Sequence, residues 1–352
     1  MEKMKLCLML GGNEEGGLEN HFIALANNIG DYLPKEEANE IIVFAHEKYR
    51  KRFRPEIVFQ SIDLTKSRRN PLLMYRSIRL LKKYSPDVIH AHASKAAALL
   101  NNIRYFINCK MVATIHSQKK NLSMYENFDY IIGVSRSVID KIHNCHKSVI
   151  YNGIPDDFIN KAYEKITRAD LGIENDLPVL VSIGRLVKVK ALDVLLSAVK
   201  NIPCNVLIIG EGPENKRLQK QVKQLGIQHV YFSGFQNNIK GYLKLADLTI
   251  ISSMREGFSY VVAESLFMDT AVVSTDVPVA NEILPRSYIA EVGNSADLAR
   301  AIELALSKQQ DFTPCFEFAR KNFTMSRMNE KIAIIYQKVV DNYINDSSLE
   351  QL

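Results

Sequence analysis

Short apolar runs alternate with amphipathic stretches along nearly the whole chain, and the alternation occurs as two series. The first contains "KLCLML" (5–10), "EIIVFA" (40–45), "DVIHAH" (87–92), "KMVATIH" (110–116), "YIIGVS" (130–135) and "KSVIYN" (147–152). The second contains "PVLVSIGR" (178–185), "NVLIIGEG" (205–212), "HVYFSG" (229–234), "DLTIISS" (247–253) and "TAVVST" (270–275). Between them lie helical patterns such as "LENHFIALANNIGDYL" (18–33), with apolar residues at three- and four-residue spacing. Strand-helix alternation of this kind predicts an α/β chain with parallel sheets covered by helices on both faces. The turn-rich "YNGIPDDF" (151–158) separates the series, so the expectation is two Rossmann-like domains, 1–156 and 157–325. A length of 352 residues agrees with two cores. The run "SRMNEKIAIIYQKVVDNYI" (326–344) follows all the strands, so 326–352 is expected to be a helix packing across the domains, with a tail. In such sheets ligands bind beyond the carboxyl ends of strands.

Several classes are set aside. The best apolar stretches stop well short of a bilayer span. The opening "MEKMKLCLML" runs directly into Gly11, Gly12, Glu14 and Glu15, which predicts a first strand and loop, not a signal peptide. Cys7, Cys109, Cys145, Cys204 and Cys315 are scattered and odd in number, which argues against a disulfide framework and for the reducing cytosol. The net charge of +6 is unevenly spread: residues 48–120 hold 17 Lys and Arg against 3 Asp and Glu. This block includes "KYRKRFR" (48–54), "KSRR" (66–69), "RSIRLLKK" (76–83) and "KK" (119–120). Two readings stand: solvated helix faces, or a surface that meets anionic lipid headgroups or a lipid-linked phosphate. No nucleic-acid partner is expected, because no RNP-like aromatic pattern, zinc-finger spacing or heptad dimer accompanies the cations.

The glycine-rich loops raise the question of phosphate. No G-x-x-x-x-G-K-[ST] occurs, and "GEGPENK" (210–216) breaks the dinucleotide pattern with a proline. No G-x-S-x-G elbow is present. The close metal-ligating clusters are "HAH" (90–92) and "HNCH" (143–146), and His90 reads as a core residue at a strand end. No Asp-x-Asp occurs, so no metal and no cofactor are expected, and a bound diphosphate must be neutralised by protein cations. In "VSIGRLVKVKALDVLLSAV" (181–199), Gly184 permits close backbone approach, Arg185 offers a planar fork and Lys190 a point charge. In "IISSMREGFSYVVAESL" (250–266) a strand ends, the chain turns at Gly257, and a helix begins near Ser259. Glu256 precedes that helix and Glu264 lies more than one turn into it. Two carboxylates at two depths suit a molecule with two sets of vicinal hydroxyls, which a nucleotide sugar has.

The Glu-x7-Glu of "EGFSYVVAE", with "GRLVKVKALDVLLSA", "LIIGEGPENKRLQ", "VYFSGF" and "GVSRSVIDKI…VIYNGI", resembles the retaining glycosyltransferases of family four. The resemblance runs from "GGLENHF" (16–22) to about residue 325, and "DVIHAHASKAA" and "ATIHS" resemble the bacterial members that build lipopolysaccharide, O-antigen and capsule. Two departures stand out. "TDVPVANEIL" replaces the family's Gly-Gly-Pro-Glu run, and Ser117, not glycine, follows His116.

The resemblance implies the GT-B fold, with two domains facing across a cleft, the first binding acceptor and the second donor. It implies that Arg185 and Lys190 hold the donor diphosphate, that Glu264 binds the ribose and that Glu256 binds the transferred sugar. Gly257, Phe258 and Ser259 would touch that sugar and the phosphate, and Gly234 and Phe235 would open the base pocket. From the first domain, Gly16 and Gly17 would approach the diphosphate and His116 the reacting carbon, with Glu19 and His21 facing the acceptor. The implied activity moves a hexose or N-acetylhexosamine with retention, without a metal, from a nucleoside-diphosphate sugar, with uridine as the expected base. The acceptor would be a saccharide or lipid-linked molecule, and the enzyme cytoplasmic and peripheral on the inner membrane face. Two alternatives stay open: a sugar-nucleotide epimerase or hydrolase of the same fold, and an anionic-lipid-binding protein with a vestigial site.

Overall fold

The computed structural model describes residues 4–14, 16–34, 39–119, 121–143, 146–307 and 312–342. Glu15, Lys120, Cys145 and the end of the last helical run lie outside them. The chain divides into two compact units, one from Met1–Gly153 with Met325–Leu352 and one from Ile154–Thr324.

The first unit is a seven-stranded parallel sheet: β1 Lys5–Leu10, β2 Glu40–Ala45, β3 Val58–Ser61, β4 Val88–His92, β5 Lys110–Ile115, β6 Tyr130–Gly133 and β7 His146–Val149. Its order is β3-β2-β1-β4-β5-β6-β7. Cys7, Leu8, Met9 and Leu10 of β1 are all fully buried, as a central strand covered on both faces requires. The helix Gly17–Asn28 puts Phe22, Leu25 and Ala26 into this core. The helix Met325–Val340 adds Met328, Ile332, Ile335 and Tyr336 to the same cluster. The sequence set that helix apart as a segment across both domains; its buried face belongs to the core of the first unit.

Tyr336 also reaches His90 on β4, whose Nδ1 lies 2.5 Å from the tyrosine hydroxyl and whose Nε2 lies 2.7 Å from Thr114 Oγ1. Both ring nitrogens are satisfied, so His90 is a core residue.

The second unit is a six-stranded parallel sheet: β8 Val179–Ile183, β9 Asn205–Ile209, β10 Val230–Gly234, β11 Leu248–Ile251, β12 Ala271–Thr275 and β13 Ile289–Ala290. Its order is β10-β9-β8-β11-β12-β13. Val179, Leu180 and Val181 of β8 and Leu207 of β9 have no exposed surface. Burying each such aliphatic side chain contributes about 1.5–3 kcal/mol.

The two sheets share one consequence. In the first, successive strands step from β1 to β2 and β3, then return to β4 on the other side of β1. In the second, the same return happens between β8 and β11. Connections leave each such strand pair in opposite directions and open a crevice beyond its carboxyl ends.

Candidate functional site

At the carboxyl end of β8 the chain reaches Gly184 with φ of 149°, a conformation that L side chains rarely adopt. A Cβ at Gly184 would lie 3.5 Å from Lys190 Cε and 3.8 Å from its Nζ, so the lysine side chain lies directly over this glycine. Lys190 closes a 3-10 turn, Lys188–Lys190, and is followed by Ala191 at φ 45°, a left-handed alanine. Such a residue stores strain of order 1–3 kcal/mol, and strain of this kind clusters at ligand sites.

From β11 the chain passes Ser252 and Ser253, both 2% exposed. The Ser252 hydroxyl donates to the Lys190 carbonyl at 2.8 Å, and the Met254 amide donates to the Val189 carbonyl at 2.8 Å. These bonds hold the two loops together. Lys190 Nζ then donates to Glu256 Oε1 at 2.6 Å, and the Ser253 hydroxyl donates to the same oxygen at 2.7 Å. Arg185 is exposed, and its guanidinium has no ion pair or hydrogen-bonding partner among the described residues. One end of the crevice therefore carries a held cation, an unpaired cation and a carboxylate.

The helix Tyr260–Phe267 begins at Ser259. The amides of Gly257 and Ser259 donate to no group among the described residues, while Phe258 and Ser259 themselves are buried. Inside this helix, the Glu264 carboxyl has no hydrogen bond or ion pair among the described residues. Part of its surface stays open, yet its carboxyl is surrounded by protein, and burial pushes it up to about 7. An unpartnered, desolvated carboxyl is an acceptor in need of donors.

On the other side of β8, the ends of β9 and β10 bring two more left-handed glycines, Gly210 and Gly234, beside Gly184. A Cβ at Gly210 would fall 2.0 Å from the Gly184 carbonyl oxygen, so only glycine permits this approach. Gly210 donates to the Gly234 carbonyl at 2.7 Å, and Phe235, 67% exposed, follows.

The first unit has its own cluster at β1 and β4. The Gly11 amide donates to the His92 carbonyl at 2.8 Å, joining the two strand ends. The loop that follows closes around Glu19: a Cβ on Gly12 would fall 2.6 Å from Glu19 Oε1, and one on Gly16 3.3 Å from Oε2. Glu19 is buried, so its carboxylate supports the glycine loop from within. Gly17 begins the helix that carries Glu19 and His21. His116 follows β5 and is half-buried, and its Nε2 lies 3.1 Å from His92 Nδ1. His21 packs against both, with ring centroids 5.5 Å from His92 and 4.9 Å from His116.

Burial lowers His21 to about 4. Burial first, and neighbouring imidazoles second, hold His92 and His116 well below the usual histidine range. Ala93, next to His92, is another left-handed alanine, at φ 69°.

The structure thus brings Gly184, Arg185, Lys190, Glu256, Gly257 and Ser259 to the β8–β11 loops, with Glu264 on the helix behind and Gly234 and Phe235 at the ends of the neighbouring strands. In the other unit it gathers Gly16, Gly17, Glu19, His21 and His116 at β1, β4 and β5. Sequence reasoning missed Ser252, Ser253, His92 and the strained Ala93 and Ala191. The "SS" at a strand end and the second histidine of "HAH" were the available signals; the alanines carry none.

Residues 15–158 match the family described as "Glycosyltransferase Family 4", and residues 164–322 the family described as "Glycosyl transferases group 1". Over 300 residues the chain is 25% identical to the lipopolysaccharide core biosynthesis glycosyltransferase LpsE of Rhizobium meliloti (strain 1021), covering 82% of this chain and 85% of the relative. It is 27% identical over 258 residues to LpsD of the same organism, a second lipopolysaccharide core biosynthesis glycosyltransferase, covering 71% of this chain and 72% of that one. Among solved structures, Anabaena HepE in complex with UDP superposes with a TM-score of 0.79 at 19% identity, over 95% of this chain and all of the other. With a glycosyltransferase family matched on each of its two parallel-sheet units, the chain belongs to the family-four glycosyltransferases and has their GT-B fold.

Proposed function

We propose that this glycosyltransferase moves a hexose or N-acetylhexosamine from a UDP-sugar to a saccharide or lipid-linked acceptor during synthesis of a bacterial surface polysaccharide, with retention at the anomeric carbon. The observation that carries the reading is the arrangement at the end of β8, where Lys190 lies over Gly184 and bonds Glu256 while Arg185 stands unpaired. The lipopolysaccharide relatives support the acceptor class, and the UDP complex of HepE supports the base.

In this reading the donor diphosphate lies over Gly184 and the Gly257 and Ser259 amides. Arg185 and Lys190 neutralise it, so no divalent cation is needed there. The acceptor hydroxyl attacks the anomeric carbon as the bond from that carbon to the β-phosphate oxygen breaks. The electron pair stays on the leaving phosphate, and one of its oxygens takes the hydroxyl proton on the same face. The two cations stabilise charge that develops on the leaving group, the kind of preorganised electrostatic contribution that dominates many enzymes.

Lys190 transfers from Glu256 to the phosphate, which frees Glu256 to accept from hydroxyls of the transferred sugar. Glu264 accepts from the ribose pair, and Phe235 and Gly234 border the base. In the first unit, Gly16 and Gly17 serve the diphosphate, His116 the transferred sugar, and His21 the acceptor, with Glu19 bracing the glycine loop.

The same reading places the enzyme in the cytoplasm against the inner leaflet. No helix among the described residues is long and apolar enough to cross a membrane. The basic block divides in two. In "KYRKRFR" the three arginines have protein partners: Arg50 with Glu47 at 2.5 Å, Arg52 with Asn20 at 2.8 Å, and Arg54 with Asp31 at 3.4 Å. The helix Pro71–Tyr84, capped by Asn70, instead exposes Leu72, Tyr75, Arg76, Arg79, Lys82 and Lys83 at helical spacing. Tyr105 and Phe106, both exposed, share a groove of about 530 Å³ with its Lys82. Cations interleaved with exposed aromatic and aliphatic side chains suit an anionic lipid surface.

The test is incubation of UDP-sugars with a truncated lipopolysaccharide acceptor, following UDP release and the anomeric signal of the product by NMR. Acceptor-dependent release with retained configuration supports the reading. Equally fast turnover without acceptor would instead assign an epimerase or hydrolase.

A further inference from the structure

We propose that His21, His92 and His116 form a three-histidine site for a divalent transition-metal ion, with zinc the cation that best matches the donors. One ring nitrogen from each histidine lies within 4.8 Å of the other two. The His92 Nδ1 to His116 Nε2 distance of 3.1 Å is close to the separation of two imidazole ligands on a tetrahedral zinc ion, about 3.4 Å for bonds of 2.0–2.1 Å.

The hydrogen-bond inventory sets this trio apart from an ordinary buried histidine. His90, two residues before His92 on β4, has both nitrogens satisfied, by Tyr336 and Thr114. By contrast both nitrogens of His21 and Nε2 of His92 are buried with no partner among the described residues, and the other His92 nitrogen, Nδ1, meets His116 Nε2 at hydrogen-bond distance in the absence of an ion. Buried nitrogens are rarely left so without an ion, a water or a ligand to complete them. Three imidazoles from separate elements, with no carboxylate in the set, suit zinc, cobalt, nickel or copper and not magnesium or calcium. His116 is the partly open member, which leaves a fourth position for water or a ligand. An ion here ties the helix Gly17–Asn28 to the ends of β4 and β5. All three ligands belong to the first unit, whereas the cation pair assigned to the diphosphate belongs to the second.

The function proposed above gives His21 and His116 to sugar hydroxyls. Zinc at the trio occupies those nitrogens and therefore inhibits transfer; this consequence alone rests on that reading.

The experiment uses the full-length, untagged protein, stripped with a chelator and titrated with cobalt(II), followed by its visible absorption. The expected result is one equivalent bound with the intense bands of a four- or five-coordinate ion, displaced stoichiometrically by zinc. His92→Ala and His21→Ala should each weaken binding at least tenfold, while His229→Ala leaves it unchanged. Should the trio variants fail to fold, the wild-type melting temperature must rise with zinc concentration as for a one-site ligand. Absence of cobalt bands together with a melting temperature indifferent to zinc overturns the proposal, as does binding undiminished in folded His92→Ala. Zinc that binds at the trio without slowing transfer leaves the site standing and removes His21 and His116 from the sugar.

Discussion

Lys190 Nζ and Glu256 Oε1 are 2.6 Å apart, and the pair joins the loop after β8 to the loop after β11. Both side chains are largely covered, the glutamate to 12% exposure and the lysine to 26%. Removing either partner leaves the other charge partly desolvated and alone, which costs more than the pair itself contributes. A double-mutant cycle with Lys190→Met and Glu256→Gln should therefore be non-additive in unfolding free energy, with a coupling of about 0.5–3 kcal/mol. Additive losses would mean that the two side chains do not meet in solution.

Lys190→Ala should also lower turnover by about 10²-fold or more, the typical effect of removing one preorganised donor to developing charge. The measurement is steady-state transfer at saturating donor. Undiminished turnover in the variant is the result that rules out the role.

The two glutamates should separate in binding. Glu264→Gln should weaken UDP and UDP-sugar alike, because ribose is common to both. Glu256→Gln should affect the intact donor far more than UDP. Calorimetric titration of both ligands into both variants reads this directly, and equal losses of UDP affinity would show that the assignment of depth is wrong.

Glu264 also predicts a pH dependence. Its carboxyl is raised by burial to about 7 in the folded protein, against an ordinary value of 4.5. The folded state thus holds the proton more tightly than the unfolded state. The resulting stability is fully present below 4.5 and is lost as pH rises through about 7. Glu264→Gln should remove that part of the slope, which thermal melts across the range will show. Ribose hydroxyls donate to the ionised form, so wild-type affinity for UDP should rise through pH 7 relative to the variant. The comparison with the variant cancels the phosphate's own titration.

Vesicle co-sedimentation tests the membrane face. Binding should need anionic lipid, fall with salt, and drop when Leu72, Tyr75, Arg79 and Lys82 are replaced by serine. Each cation near the surface contributes about 1 kcal/mol at most. Replacing Arg50, Lys51, Arg52 and Arg54 should matter less, because three of them have partners in the fold. Equal binding to neutral vesicles would leave all of these as a solvated surface.

The central strands were legible in the sequence because burial on both faces writes a continuous apolar run. "KLCLML" and "EIIVFA" coincide with β1 and β2 to the residue. Two of the four edge strands were not: every residue of "VFQS" in β3 is half-buried, and β13 is two residues long, so neither has a run to show. At the site, Lys190 and Glu256 could be named from their loops, since glycine and charge at strand ends are visible in one dimension. Their mutual bond could not, because it joins positions 66 residues apart. The histidine trio was hidden for the same reason: His21 follows β1, His92 ends β4 and His116 follows β5, and only the sheet order β1-β4-β5 makes them neighbours.

The most direct test of the donor site is calorimetric titration of UDP, UMP and uridine in the presence of EDTA, with wild type, Arg185→Ala and Lys190→Ala. If the two cations hold the diphosphate, UDP binds wild type at least about tenfold tighter than UMP without any metal. That advantage corresponds to about 1.4 kcal/mol and should disappear in both variants. Equal affinity for UDP and UMP, or UDP binding that appears only when a divalent cation is restored, would contradict the account.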